Sequence, residues 1–257
     1  MKLDILGTGT FFANINRTAS AFILEIENKK ILIDCGPGTL VRLSQIGLSP
    51  EDLDYVFITH FHPDHTSDLF PLFMNYRLSD LLVPGSVKKF PKFYGPEGLD
   101  KFLSAYSHNS ELLAYDAWGK IKVFEYQSLI NIDNYVVKPF KVDHSAFGLP
   151  ARAYALRFES NNKVVVFSGD STKCDGLQTA CQNADIFVCD ASSPKNQASP
   201  AHMDTYDIGE ISQQSQVKKV ILTHFYPQYD DVDLVSQVKE KFSGEVIHGQ
   251  DLTSFEI

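Results

Sequence analysis

With 257 residues, 44% of them apolar, the chain has material for one sizeable core, and its formal net charge of −9 argues against a general grip on nucleic acid, which draws its affinity from Lys and Arg at phosphates. No apolar run approaches the length of a membrane span, and the opening MKLDILGTGT has no long apolar stretch of the secretory type. Cys35, Cys174, Cys181 and Cys189 form neither a C-x-x-C pair nor a dense disulfide framework, so one cytoplasmic domain over 1–257, off the membrane, is expected.

Leu3 to Leu6 reads as a strand, and Gly7-Thr8-Gly9-Thr10 as a tight loop that lets chains pack closely. Ala21 to Ile26 and Lys30 to Ile33 read as paired strands with a turn at Asn28-Lys29. A helical pattern follows at Leu40, Val41, Leu43 and Ile46, then a turn at Ser49-Pro50 and the strand DYVFIT, Asp54 to Thr59. Asp68 to Leu78 carries a helical apolar face. Residues 80–118 are less regular, with a helix over Leu99 to Tyr106 and loop or weak helix from His108 to Trp118. Strands recur at Ile121 to Tyr126, Tyr135 to Val142, Ala153 to Phe158 and Lys163 to Ser168. Buried-strand runs at Ile186 to Cys189 and Val220 to Thr223 then alternate with helices over Thr205 to Gln214 and Val232 to Phe242. Two sheets covered by helices satisfy this order.

The chemistry concentrates in Thr59-His60-Phe61-His62-Pro63-Asp64-His65, where four metal-binding side chains fall within six positions. Imidazole and carboxylate are the usual ligands of zinc and related hydrolytic metals. His60 and His62 point the same way on an extended chain, while Asp64 and His65 can turn toward a second point. A lone histidine is ordinarily a surface or satisfied core residue, but three more candidates stand in matching places. His144 follows YVVKPFKV, Asp170 follows KVVVFS and His224 follows KKVILT, each ending an apolar strand-like run. Loops at strand ends are where a rigid sheet presents function. Cys174, Cys181 and Cys189, spaced 7 and 8 apart, match no zinc motif and read as packed apolar residues.

These motifs, in this order and over nearly the whole chain, resemble the metallo-β-lactamase fold superfamily, whose fold is an α/β four-layer αβ/βα sandwich with metals at one edge of the sheets. The resemblance implies one metal on His60, His62 and His144, another on Asp64, His65 and His224, and Asp170 bridging both. Leu6-Gly7-Thr8-Gly9-Thr10, Arg17, Ser20, Leu32-Ile33-Asp34-Cys35-Gly36, Phe57-Ile58-Thr59-His60 and Leu222-Thr223-His224-Phe225 resemble the branch of the tRNA-processing endonuclease RNase Z and related phosphodiesterases. Ala201-His202-Met203-Asp204 is similar to that branch's motif for a further active-site histidine. Its acidic partner, usually Glu, has Asp190 at the matching place. Metallo-β-lactamases usually place Cys where Asp170 stands, whereas glyoxalase II and lactonase relatives share the ligand set.

The resemblance implies two divalent ions, zinc with manganese, iron or cobalt as alternatives. Neutral imidazoles and two carboxylates leave such a site net positive, which suits a phosphodiester monoanion. Asp64 is expected to take part in water activation and His202 to protonate the leaving alkoxide. Asp34 is expected to orient the ligands through hydrogen bonds rather than bind metal. Arg17 is either a phosphate contact or a solvated charge. Compact RNase Z proteins carry a tRNA-gripping arm between the positions of His144 and Asp170; here these are only 26 residues apart. The reading is a binuclear phosphodiesterase acting on a small phosphodiester, a cyclic nucleotide or a short RNA, with large nucleic acid disfavoured. The alternatives are a thioester or lactone hydrolase, a tRNA 3′-endonuclease, or a metal-binding scaffold without turnover. A homodimer is the assembly common in the resembling branch.

Overall fold

The computed structural model describes residues 1–108, 121–146, 149–150 and 152–257. In chain order the elements are β1 (Lys2–Gly7), β2 (Ala21–Ile26), β3 (Lys29–Ile33), α1 (Thr39–Gln45), β4 (Tyr55–Phe57), α2 (Pro63–Thr66), α3 (Leu69–Leu82), β5 (Lys92–Gly95), α4 (Leu99–His108), β6 (Lys122–Glu125), β7 (Ile130–Ile132) and β8 (Tyr135–Val142). Then come β9 (Ser145–Ala146), β10 (Leu149–Pro150), β11 (Ala153–Ser160), β12 (Lys163–Phe167), α5 (Asp175–Ala180), β13 (Ile186–Asp190), α6 (Thr205–Gln214), β14 (Lys219–Thr223), α7 (Leu234–Lys239), β15 (Glu245–His248) and β16 (Thr253–Glu256). One sheet runs β16-β1-β2-β3-β4-β5-β6 and the other β15-β14-β13-β12-β11-β8-β7.

Side-chain alternation builds the layers. Ile5, Phe22, Leu24, Ile33 and Phe57 face inward and meet Leu156, Phe158, Val165, Phe167, Val188 and Ile221 from the other sheet. Their neighbours Leu6, Ile23, Leu32, Val56 and Ile58 face outward under Leu69, Leu72, Phe73 and Tyr76 of α3. On the second sheet Val166, Phe187, Cys189, Val220 and Leu222 take the other outer face, under Leu177, Ile208, Ile211, Leu234 and Val238. Strands covered on both faces read as continuous apolar runs, which is why KVVVF and KVILT show little alternation. The result is the four-layer αβ/βα sandwich. Among the described residues, no helix is long and apolar enough to cross a membrane.

Topology also gathers the site. β3 pairs parallel with β4, β12 with β13, and β13 with β14. β8 is antiparallel to β11, which is antiparallel to β12, so β8 and β12 run the same way. The C-terminal ends of β8, β12, β13 and β14 therefore share one edge, as do those of β3 and β4. Ligand sites in open α/β sheets lie at such carboxyl ends.

Several expectations need correction. The β2–β3 turn is Glu27-Asn28, one residue before Asn28-Lys29, because a two-residue hairpin takes left-handed conformations at both central positions, here φ 51° and 65°. The chain over 80–98, read as irregular, contains β5, and β7, α5, β15 and β16 join the assigned elements. The helix over Val232 to Phe242 is shorter, because the Asp233 side chain accepts from Ser236 N and starts it at Leu234. The loop-or-weak-helix reading of His108 to Trp118 falls outside the described residues apart from His108, which ends α4. Cys174 is only partly buried, unlike Cys181 and Cys189.

Gly36 shows what the site requires of its frame. A Cβ there would lie 2.0 Å from the Asp64 carbonyl oxygen and 2.9 Å from the Ala19 Cβ. The two loops are tied there by Cys35 N donating to His65 O at 2.8 Å. Gly36→Ala is expected to cost about 1–3 kcal/mol as an overpacked site and to move Asp64. Denaturant unfolding with metal analysis checks this; wild-type stability and metal content would refute it.

Candidate metal centre and active site

Strand ends deliver the side chains. The chain leaving β4 carries His60 and His62, and α2 carries Asp64 and His65. Asp34 follows β3, His144 follows β8, Asp170 follows β12, His224 follows β14, and Asp190 closes β13. Asp34 and His224 hold left-handed backbone, φ 58° and 59°, strain of a kind that concentrates at functional sites.

Three groups form around Asp170, one of which joins it and His224 to Asp190 and His202. His60, His62, His144 and Asp170 can place one ligand atom each within 4.8 Å of one another, and so can Asp64, His65, Asp170 and His224. His144 Nε2 lies 3.1 Å from His62 Nδ1. Metal–nitrogen bonds of about 2.0–2.1 Å in tetrahedral array put neighbouring ligand atoms about 3.3 Å apart, so this spacing suits a shared cation. Asp170 Oδ2 stands 3.6 Å from His60 Nε2, and its Oδ1 stands 3.2 Å from His65 Nε2 and 3.4 Å from His224 Nε2. One carboxylate thus faces both of these groups.

The donors are set for cations. His60 Nε2, His65 Nε2 and Asp170 Oδ1 are buried without a hydrogen-bond partner, which is costly unless something else satisfies them. The opposite ring nitrogens are occupied. His65 Nδ1 donates to Asp34 Oδ2 at 2.7 Å, and His144 Nδ1 donates to Ala201 O at 2.7 Å. Thr59 Oγ1 donates to Asp34, so His60 Nδ1, 3.1 Å away, donates to Thr59. Ser192 Oγ donates to Asp190 Oδ1, so His224 Nδ1, 2.8 Å away, donates to Ser192. Each carboxylate, Asp34 and Asp190, thereby fixes one imidazole directly and another through a hydroxyl. Such partners set the tautomer and leave Nε2 with its lone pair toward the centre. The residues fit a pair of divalent ions.

Charge supports that fit. Burial would keep His65 and His224 neutral, but Asp170 with Asp34 and Asp64 lifts His65 well above its usual range, and Asp170, Asp190 and Asp64 lift His224 to about 10. Burial would raise Asp170, yet His224, His65 and His60 hold it well below the carboxylate norm. Burial, with His65, drives His60 well below the usual imidazole range, ready to ligate. Cations must displace protons from such nitrogens, so binding releases them.

His202 and Asp190 stand beside this centre. His202 Nδ1 donates to Asp190 Oδ2 at 2.7 Å. Asp190 also accepts from Ser192 N at 3.0 Å, so its oxygens are committed to hydrogen bonds. The loop is anchored by Met203 N donating to Ser171 O at 2.9 Å and by Asp204, which caps α6 through Tyr206 N and Asp207 N. His202 is thus placed separately from the cap. It lines a cleft of about 540 Å³ with His62, Asp64, His144, Asp170 and Tyr226.

Two outcomes differ from the sequence reading. Arg17 is not merely solvated: Nη1 lies 2.5 Å from Asp230 Oδ1, with the guanidinium 5.2 Å from the Phe225 ring centre. Thr59, Ser192 and Tyr226 also belong to the site. Thr59 precedes His60, and Tyr226 and Ser192 lie two residues after His224 and Asp190, so nearness to the candidates is their one available signal.

Asp34→Ala should free His65 directly and His60 through Thr59. Loss of such an orienting partner lowers metal affinity about 10–100-fold. Calorimetric metal titration reads this; unchanged affinity would remove Asp34 from the account.

A family model described as anti-Pycsar protein Apyc1 matches residues 1–249. The chain belongs to that family. Among its relatives, ribonuclease Z of Methanosarcina mazei is 24% identical over 312 aligned positions, covering 100% of this chain and 98% of the relative. Since the chain has 257 residues, that relative carries segments absent here. The probable metallo-hydrolase YhfI of Bacillus subtilis is 25% identical over 255 positions, covering 96% of each chain. Its crystal structure superposes with a TM-score of 0.84 at 22% identity, covering 100% of this chain and 99% of that one. The short form of human tRNase Z superposes at 0.75, also at 22% identity, covering 100% and 99%. This anti-Pycsar family member therefore has the metallo-β-lactamase fold, lies with the RNase Z-like branch, and is a metal-dependent hydrolase.

Proposed function

We propose that the protein is a binuclear phosphodiesterase acting on a small phosphodiester, a cyclic nucleotide foremost. The observation that carries this is the adjacency of two four-residue ligand groups, sharing Asp170, to a histidine backed by a carboxylate. His60, His62 and His144 would hold one divalent ion and Asp64, His65 and His224 the other, with Asp170 common to both. Zinc suits these donors, and manganese or iron also fit. Bound there, the ions supply Lewis acidity and an activated water.

The chain's own groups supply the proton steps. Asp64 Oδ2 faces His224 Nε2 at 3.3 Å and His65 Nε2 at 3.9 Å, which leaves Oδ1 to take a proton from the attacking water. Burial would strip His202 of its proton, but Asp190, by charge and hydrogen bond, raises its pKa. His202 Nε2 therefore holds a proton for the departing oxygen. An alkoxide leaves poorly without that proton, whereas a thiolate needs none, so this pair favours phosphodiesters over thioesters. A cleft of about 540 Å³ is small-molecule size, and the net charge of −9 disfavours an RNA body.

The test is to strip the protein and reload it separately with zinc, manganese and iron, with Asp170→Ala as blank. Bis(p-nitrophenyl) phosphate is compared with p-nitrophenyl butyrate and a thioester. Metal-dependent cleavage of the diester is expected. Cleavage of the carboxyl esters alone would move the assignment to ester or thioester hydrolysis.

A further inference from the structure

One wall of the cleft is aromatic, and apart from Tyr226 its rings have no part in the machinery described. Phe11 and Tyr226 line it, with ring centres 6.4 Å apart at 87°. Phe12 stacks on Phe11 at 4.9 Å and meets Tyr226 at 5.6 Å. The Tyr226 ring lies 5.9 Å from both His202 and His224. An aromatic path thus leads from the candidate centre through Tyr226 to Phe11, which lines the cleft, and to Phe12 stacked against it; Phe11 and Phe12 remain 58% and 48% exposed. Ligand clefts are lined largely by apolar and aromatic side chains, and adjoining exposed rings extend such a lining.

The loop that carries these rings is clamped at its root. Asp251 accepts from Thr8 N at 2.9 Å and Oγ1 at 2.8 Å, and from Thr18 N at 2.8 Å. Gly9 N donates to Thr18 O at 2.8 Å. Phe225 N donates to Thr8 O at 2.8 Å, which ties the root to the segment bearing His224 and Tyr226. Arg17 reaches the same side through its ion pair with Asp230. The position of the wall relative to the centre is therefore built in.

Resting on the phosphodiesterase reading, we propose that Phe11 and Phe12, with Tyr226 beneath, form a stacking shelf for the nucleobase of a nucleotide whose phosphodiester occupies the metal centre. Planar π surfaces suit a base, since base–aromatic stacking engages any base through its face. An acyl chain fits less well, because the described lining of the cleft contains no Leu, Ile, Val or Met. Phe11 and Phe12 act here as specificity-determining residues, remote from the proton steps.

The experiment compares a 3′,5′-cyclic mononucleotide with its base-free analogue, 1-O-methylribose 3′,5′-cyclic phosphate, on metal-loaded wild type and on the Phe11→Ala/Phe12→Ala double variant. The ratio of kcat/KM between the two substrates is expected to fall about 10–100-fold in the variant, mainly through KM, and to recover largely in Phe11→Tyr/Phe12→Tyr. An unchanged ratio, or equal loss on both substrates, would overturn the shelf. Calorimetric binding of a nucleoside 5′-monophosphate against ribose 5-phosphate gives a second reading. If wild type hydrolyses neither diester, the phosphodiesterase reading fails by itself. The shelf then stands when the nucleotide binds at least tenfold tighter than the sugar phosphate and the double variant loses that preference, and falls when both bind alike.

Discussion

Asp170→Ala is expected to lower bound metal from two ions per chain to one or fewer and to cut diester turnover by about a thousandfold or more. The size follows from geometry. Among the described residues, Asp170 is the one carboxylate that faces both proposed ligand groups, with Oδ2 toward His60 and Oδ1 toward His65 and His224. Removing it would disturb both proposed ions at once, and each would contribute several kcal/mol of transition-state stabilisation in a site of this kind. It also removes the largest charge that supports His224, and so changes the proton balance of a buried cluster. Elemental analysis with steady-state kinetics checks this. A variant that keeps two ions and wild-type turnover would show that the centre lies elsewhere. Asp170→Asn keeps the shape and reports the charge alone.

His202→Ala is expected to keep both ions and the fold while lowering kcat about 10²–10⁴-fold on diesters with an alkoxide leaving group. A p-nitrophenolate leaving group, which departs without help, should be affected far less. The pH dependence carries the sign. In the proposed mechanism His202 would work as an acid in its protonated form, which is present below its pKa and lost above it. Asp190 raises that pKa against burial, so the alkaline limb of kcat should lie above the ordinary imidazole range. Asp190→Asn removes the opposing charge and should shift that limb toward acid. It should also loosen Ser192, hence His224, so metal content is measured alongside. Normal turnover of an alkyl diester by His202→Ala would remove His202 from the mechanism.

The candidate ligands are legible in the sequence because metal chemistry admits few side chains and because His60, His144, Asp170 and His224 each follow an apolar run. His60, Asp170 and His224 follow strands that read as buried from composition alone. Short strands were not legible. INI of β7 and KFYG of β5 carry little periodic information, and β16 gains its identity from pairing with β1 at the far end of the chain. The same holds for side chains whose roles depend on neighbours. Thr59 and Ser192 are ordinary hydroxyls until Asp34 and Asp190 turn them into relays that fix His60 and His224. Arg17 reads as a free charge because its partner, Asp230, is 213 residues away. Phe11 sits in a loop without periodicity, and only the fold shows that it borders the cleft.

A two-ion centre that hydrolyses a phosphodiester should bind metal and gain activity in a fixed ratio. The most direct measurement titrates stripped protein with manganese or zinc while following cyclic-nucleotide hydrolysis and bound metal together. Hydrolysis is predicted to be absent without metal and to reach its plateau at two equivalents per chain. A plateau at one equivalent, or turnover that persists in chelator, would contradict it.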